Sequence, residues 1–451
     1  MRPARALAAG AALVWLCACS GGGGSLLGAG ASPDSPAARG FAAAASGIPL
    51  GKIRHVVIVM QENRSTDNLF HGLPGADTVN SGLDSHGHQI PLQEEPLVES
   101  YDFMHNHTAF VNAYDKGKMD GADRNKTYCG ILGKCPPHAN YSYVRQSDVA
   151  EYFTLAEQYA FGDRMFQTNQ GESYPAHQFI IAGTSEPSVG SNLFVSENPN
   201  EPNEVGCKAP HGATVPEIDP GGKENQSTYP CFEHPVLMDL LRERNLTWKY
   251  YTNASDSIWN GPNSIKHIRL GSGWENVVVP ESRVLDDIAK GRLANVAWVN
   301  PNVHDSDHPG VSDGTGPSWV ASIVNAVGKS PDWKSTAIFV TWDDWGGLYD
   351  HVAPTIYDSY EYGLRVPLIV VSPYARSGYV SHVTHDFGSI LKFTEEAFGL
   401  PSLGFADARA DDLSDCFNFG APARAFQPIP SRHDARYFLS QPEPSGPADS
   451  D

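Results

Sequence analysis

Two acidic clusters stand directly after β-branched apolar runs. Gln61-Glu62-Asn63-Arg64-Ser65-Thr66-Asp67 follows Val56-Val57-Ile58-Val59-Met60, and Thr341-Trp342-Asp343-Asp344-Trp345-Gly346-Gly347 follows Thr336-Ala337-Ile338-Phe339-Val340. Continuous apolar runs of this length read as strands buried on both faces of a parallel sheet. Ligands of such sheets bind beyond the carboxyl ends of the strands. The oxygen donors of Glu62, Asn63, Asp343 and Asp344, placed at two such ends, can converge on one divalent cation although they are distant in sequence. That is the outline of metal-assisted hydrolysis. Either cluster alone would read as helix capping or surface ion pairing; their joint occurrence with the features below favours the metal.

The elements that would position these residues alternate along the chain. Strand-like runs recur at Leu246–Tyr251, Val296–Val299, Ala337–Val340 and Val366–Val371, with amphipathic helical patterns at Pro235–Arg244, Ser318–Val327 and Phe387–Phe398. Strands alternating with helices predict an α/β fold with parallel strands. The stretch Asn192–Gln226, dense in Pro, Gly, Asn and Glu, predicts an inserted loop or lid over the catalytic face. Pro428–Asp451 is polar and Pro-rich and is expected to be an irregular arm.

The start of the chain carries Arg2 and Arg5, an apolar stretch and then Leu16-Cys17-Ala18-Cys19. This describes an export signal too short to span a bilayer. The tetrad ending in Cys19 resembles a bacterial lipobox, which implies a lipid-bearing Cys19 and a membrane anchor; ordinary cleavage with Cys19 incidental is the other reading. Residues 20–50, rich in Gly, Ala, Ser and Pro, read as a flexible linker. The expected division is thus an export signal over 1–19, the linker over 20–50, a catalytic domain over 51–427 and the arm over 428–451.

The 451 residues are 41% hydrophobic and 19% charged, an ordinary globular composition. With 32 basic against 52 acidic residues the formal net charge is −20, and no basic run offers a nucleic-acid footprint. No nucleic-acid partner is expected. Beyond Cys17 and Cys19 the seven cysteines include Cys129, Cys135, Cys207, Cys231 and Cys416. In an oxidising compartment Cys129 with Cys135 and Cys207 with Cys231 are natural local pairs, leaving Cys416 over.

Several blocks, in order, carry a family resemblance. Ile53-Arg54-His55 through Gln61-Glu62-Asn63-Arg64-Ser65 resembles the opening motif of the bacterial phosphoesterase family that contains phospholipases C and respiratory-burst-inhibiting acid phosphatases. Asp102-Phe103-Met104-His105 with Gly117-Lys118-Met119-Asp120-Gly121 resembles its second block and Asp307-His308-Pro309 its third. Thr341 through Asp350-His351-Val352 resembles the fourth, and Arg365-Val366-Pro367 through Ser372-Pro373-Tyr374 the fifth. The resemblance spans about Ile53 to Leu400. It implies an alkaline-phosphatase-like three-layer sandwich with a mostly parallel central sheet and inserted loops, hydrolysing phosphate esters.

Residue by residue, the resemblance implies Glu62 and Asn63 as one pair of metal ligands and Asp343 and Asp344 as the other, with Asp344 matching the acid phosphatase version. Ser173, in Gly171-Glu172-Ser173-Tyr174-Pro175-Ala176-His177, falls at the nucleophile and would also touch the metal; His177 stands where the family pattern has Asn. A Ser hydroxyl is a weak nucleophile, and one divalent cation can activate it without a dedicated base. The expected reaction is attack by Ser173, a phosphoseryl intermediate and its hydrolysis. Of 17 histidines, the flanks select His308 and His105 first and His351 third to hold phosphoryl oxygens or protonate the leaving alcohol; His351, beside Asp350, could equally be a structural hydrogen-bond partner. The substrate would be a small phosphomonoester or a phospholipid headgroup. Two rivals stand beside this: a sulfatase or phosphonate hydrolase of the same superfamily, and a non-catalytic surface binding protein.

Overall fold

Five consecutive apolar residues, Val56–Met60, leave a strand no face that tolerates water, so neighbours must cover both its edges and both its faces. The computed structural model, which describes residues 47–130, 133–199 and 205–442, places strand β1 (His55–Gln61) inside an eight-stranded sheet. The other strands are β2 (Ala160–Gly162), β3 (Trp248–Tyr251), β4 (Val277–Val278), β5 (Val296–Val299), β6 (Thr336–Trp342), β7 (Leu368–Val371) and β8 (Tyr379–Ser381). Their order in space is β4-β3-β5-β1-β6-β7-β2-β8. All run one way except β7, which is antiparallel to both of its neighbours. The mixed α/β class with a mostly parallel central sheet agrees with the expectation.

Helices cover both faces. Helix α1 (Ala150–Gln158) and α3 (Arg283–Ala289) pack on α4 (Gly316–Lys329), while α2 (Ser173–Ala182) packs on α5 (Phe387–Phe398). Val320, Ile323, Val324 and Val327 of α4 are buried at the spacing of one helix face. Asp386 and Ser389 form a reciprocal cap at the start of α5, and Gly399, with φ of +64°, ends it. The strands Ala160–Gly162, Val277–Val278 and Tyr379–Ser381 were not expected, because two or three residues are too few for a hydrophobic period to show.

Two segments differ from expectation. Within 192–226, Phe194–Val195 and Val215–Ile218 are strands, and the latter also pairs with Gln226–Thr228 in a small antiparallel sheet. Val195, Val215 and Ile218 are buried and supply the core that an open loop would lack. The expected irregular arm is anchored as well. Ile429 exchanges hydrogen bonds with the Asn325 side chain, and Phe438, on the helix Ala435–Ser440, stacks edge-on against Trp319.

Disulfides join Cys129 to Cys135 and Cys207 to Cys231, and Cys416 is a buried free thiol. The export signal, Cys19 and nearly all of the linker lie outside the described residues. Among the described residues no helix is long and apolar enough to cross a membrane.

Candidate active site

Strands β1 and β6 end in register, with Gln61 beside Trp342. The ladder runs on past them: the Asp343 N–H donates to the Gln61 carbonyl and the Arg64 N–H to the Asp344 carbonyl, each at 3.0 Å. Both acidic clusters therefore leave the sheet side by side. Asn63 turns the chain with φ of +60°, a left-handed conformation that Asn tolerates, and its N–H donates to Asp343 Oδ1 at 2.9 Å. Gly346 and Gly347 also have positive φ; a Cβ would stand 2.3 Å from the Asn63 carbonyl oxygen at the first and 2.6 Å from Phe103 Cβ at the second. Glycine is required there for both handedness and close approach. The second approach brings the segment before His105 onto the site.

Ser173 is the first residue of α2, and its hydroxyl donates to Glu62 Oε2 at 3.4 Å. One turn later His177 lies on the same helix face. Its Nε2 is 3.2 Å from Glu62 Oε1 and its Nδ1 is 3.3 Å from Tyr250 Oη. One ligand atom each of Glu62, His177 and Asp343 fall within 4.8 Å of one another. Burial pushes the His177 imidazole down to about 4, against the Asp343 charge that works to raise it.

His105 is carried in by the segment after Phe103. Its Nδ1–H donates to the Phe103 carbonyl at 2.7 Å, and its Nε2 is 3.0 Å from Asn63 Nδ2 and 3.9 Å from Asp344 Oδ2. A carbonyl only accepts, so in the neutral ring Nε2 accepts from the Asn63 amide. That orientation commits the amide nitrogen to His105 and leaves Asn63 Oδ1 buried without a hydrogen bond. Asp343 Oδ2 and Asp344 Oδ2 are in the same condition. His308, its ring centroid 6.1 Å from that of His105, gives its Nδ1–H to the Pro309 carbonyl at 2.8 Å. Burial, and then the neighbouring Asp343 charge, push the Asp344 carboxyl well above the ordinary carboxylate range, opposed by His105 and His308.

Glu62, Asn63, Ser173, Asp343 and Asp344 are all 0% exposed. Leaving a buried polar atom without a partner costs about 1–3 kcal/mol, and more when it is charged. Three such oxygens together, beside Glu62, fit a divalent cation, which satisfies them and compensates the carboxylate charge at once.

His351 is the site residue that the structure keeps apart from this group. Its Nδ1 lies 2.6 Å from Asp67 Oδ2 and its Nε2 3.2 Å from Asp77 Oδ1, in a network where Arg365 pairs with Asp350 at 3.0 Å. Burial opposes its charge, yet the hydrogen bond and field of Asp67 outweigh that and raise its pKa. Both nitrogens are engaged by carboxylates, so the ring braces the loop after β6. Arg64 is held by the Asp307 and Leu97 carbonyls, Asn68 and Glu99. Trp342 packs in the core against Phe70 and Tyr152. Trp345 stands edge-on to His105, whereas Tyr349 stacks on Tyr141 in a satellite cluster. Sequence reasoning missed Tyr250 and the position of His177 beside Glu62; the available signal was the four-residue step from Ser173 to His177.

Residues 53–401 match the model of the Phosphoesterase family. A non-hemolytic phospholipase C of Pseudomonas aeruginosa is 24% identical over 88% of this chain, which spans 63% of that protein's length. Phospholipase C B of Mycobacterium tuberculosis is 24% identical over 84% of this chain and 80% of its own. A solved protein of the alkaline phosphatase superfamily from Vibrio parahaemolyticus, 11% identical, covers 80% of this chain and 71% of its own at a TM-score of 0.38.

Proposed function

The chain belongs to the Phosphoesterase family, and from that premise we propose that it hydrolyses phosphate esters at Ser173 in a metal-dependent reaction. The observation that supports this most directly is the convergence of the Ser173 hydroxyl with Glu62, Asp343, Asp344 and Asn63 in one buried place, with three oxygens lacking hydrogen bonds. A divalent cation held by Glu62, Asn63, Asp343 and Asp344 would favour the ionised form of the Ser173 hydroxyl and offset charge developing on the phosphoryl oxygens.

The Ser173 alkoxide attacks phosphorus in line with the departing oxygen, so that the Oγ–P bond forms as the bond to the leaving alcohol breaks. His308 has Nδ1 engaged by the Pro309 carbonyl, so proton exchange with the leaving alcohol or a phosphoryl oxygen falls to its Nε2, whereas His105, whose Nε2 accepts from the Asn63 amide, orients Asn63 toward the site. Water then attacks the phosphoserine, releasing phosphate or a phosphorylated headgroup and restoring Ser173. His351 has no part in these steps and acts as a positioning residue for the loop that carries Asp343 and Asp344.

The two disulfides suit an oxidising, extracytoplasmic location, and we place the protein there, with Cys19 as the proposed lipid attachment point. The test is turnover of p-nitrophenyl phosphate, p-nitrophenylphosphorylcholine and p-nitrophenyl sulfate by the purified protein, with chelator and metal add-back. Metal-restored hydrolysis of a phosphate ester is the expected outcome, and the preferred substrate distinguishes a phosphomonoesterase from a phospholipase-type diesterase. Sulfate turnover alone, or turnover indifferent to chelator, would overturn the proposal.

A further inference from the structure

We propose that His177 is itself a metal ligand, making the centre a mixed nitrogen–oxygen site built for a borderline cation such as zinc or iron(II) in preference to magnesium or calcium. The inference rests on the phosphoesterase reading above and adds to it a ligand and a class of metal.

The Tyr250 hydroxyl has one proton and donates it to the Trp259 carbonyl at 2.8 Å. Toward His177, at 3.3 Å, and toward the Gly261 N–H, at 3.4 Å, that oxygen is an acceptor. The proton of the neutral imidazole therefore sits on Nδ1, as it must to donate to Tyr250. Nε2 is then a lone pair, and it stands 3.2 Å from Glu62 Oε1, a carboxylate oxygen that also has only lone pairs to offer. Two acceptors this close in a wholly buried place repel one another unless positive charge lies between them.

The surroundings say what that charge is. Asp343, 0% exposed, has an Oδ2 without a hydrogen bond, and a ligand atom of Asp343 lies within 4.8 Å of ligand atoms of both Glu62 and His177. A single cation in that triangle satisfies the imidazole and both carboxylates. The hydrogen bond from Nδ1 to Tyr250 is the outer contact that fixes the tautomer and ring orientation of metal-bound histidines. The backbone supplies the same precision: Ser173 and His177 are one turn apart on α2, so the helix that presents the hydroxyl to Glu62 also presents the imidazole. An imidazole donor shifts preference away from magnesium and calcium, which favour all-oxygen shells.

The experiment uses the purified protein stripped of metal and reloaded with manganese(II), read by pulsed electron paramagnetic resonance for a directly bound imidazole nitrogen, beside competition between zinc and magnesium. The expected result is a nitrogen coupling that persists in the His105→Gln/His308→Gln double variant and is lost in His177→Gln. The same His177→Gln substitution is expected to weaken zinc binding about 100-fold while changing magnesium binding much less. If His177→Gln fails to fold, persistence of the coupling in the double variant decides the question alone. A protein that binds one manganese per chain with no nitrogen coupling, or with a coupling that His177→Gln retains, overturns the ligand assignment and leaves the phosphoesterase reading intact. A protein that binds no divalent metal at all overturns both.

Discussion

Ser173 and Glu62 meet at 3.4 Å although one opens a helix and the other ends a strand, and the consequence for activity is specific. Removing the hydroxyl deletes the nucleophile but none of the four acidic and amide side chains proposed to hold the metal. Ser173→Ala is therefore expected to lower kcat by about 10³-fold or more while keeping its metal content. Turnover and metal analysis on the same sample check this; full activity in the variant would move the nucleophile elsewhere. His351 teaches the opposite lesson at this scale. Its flanks match a family block, but an imidazole beside Asp350 could equally be a structural hydrogen-bond partner, and Asp67 and Asp77 occupy its two nitrogens.

Among the elements, α5 has a titratable group buried at its carboxyl end. Glu395 is 3% exposed, accepts the Leu403 N–H at 3.0 Å and is pushed up to about 9 by burial, then by the Asp407 charge, with Glu396 adding to and Lys392 opposing the shift. The unfolded chain ionises this carboxyl near its ordinary value of 4.5, whereas the folded chain keeps the proton to about 9. Its contribution to stability is thus fully present below 4.5 and is lost as pH rises toward 9. Glu395→Gln keeps an acceptor for Leu403 and removes the charge. The variant is expected to match wild type near pH 4 and to exceed it by about 1–3 kcal/mol at pH 8. Urea unfolding midpoints across that range are the measurement, and an equal gap at both pH values would refute the assignment.

For the molecule as a whole, the candidate centre lies where β1, β6 and α2 meet, so its electrostatics bear on global stability. Without a cation, the carboxylates of Glu62, Asp343 and Asp344 oppose folding; a cation bound only to the folded state opposes unfolding by mass action. At a free concentration 100 times its Kd it adds about 2.7 kcal/mol. Thermal unfolding is expected to shift upward by a few degrees with the preferred divalent ion and downward with chelator. A Tm indifferent to both would mean that the carboxylates are relieved by protons instead.

The local sequence determined whatever depends on contiguous residues. The apolar runs at Val56–Met60 and Ala337–Val340 dictated buried strands, the period of Ser318–Val327 and Phe387–Phe398 dictated helices, and the acidic residues after two strands pointed to the candidate site. Hydrophobic periodicity is a property of neighbours along the chain, so it can be read without the fold. Only the tertiary structure decided which side chains face one another: the antiparallel course of β7, the sheet built within 192–226, the docking of Phe438 on Trp319, the particular partners of Arg64 and His351, and the placing of His177 between Tyr250 and Glu62. Those relations join residues far apart in sequence, and they are set by register and packing, which local pattern does not encode.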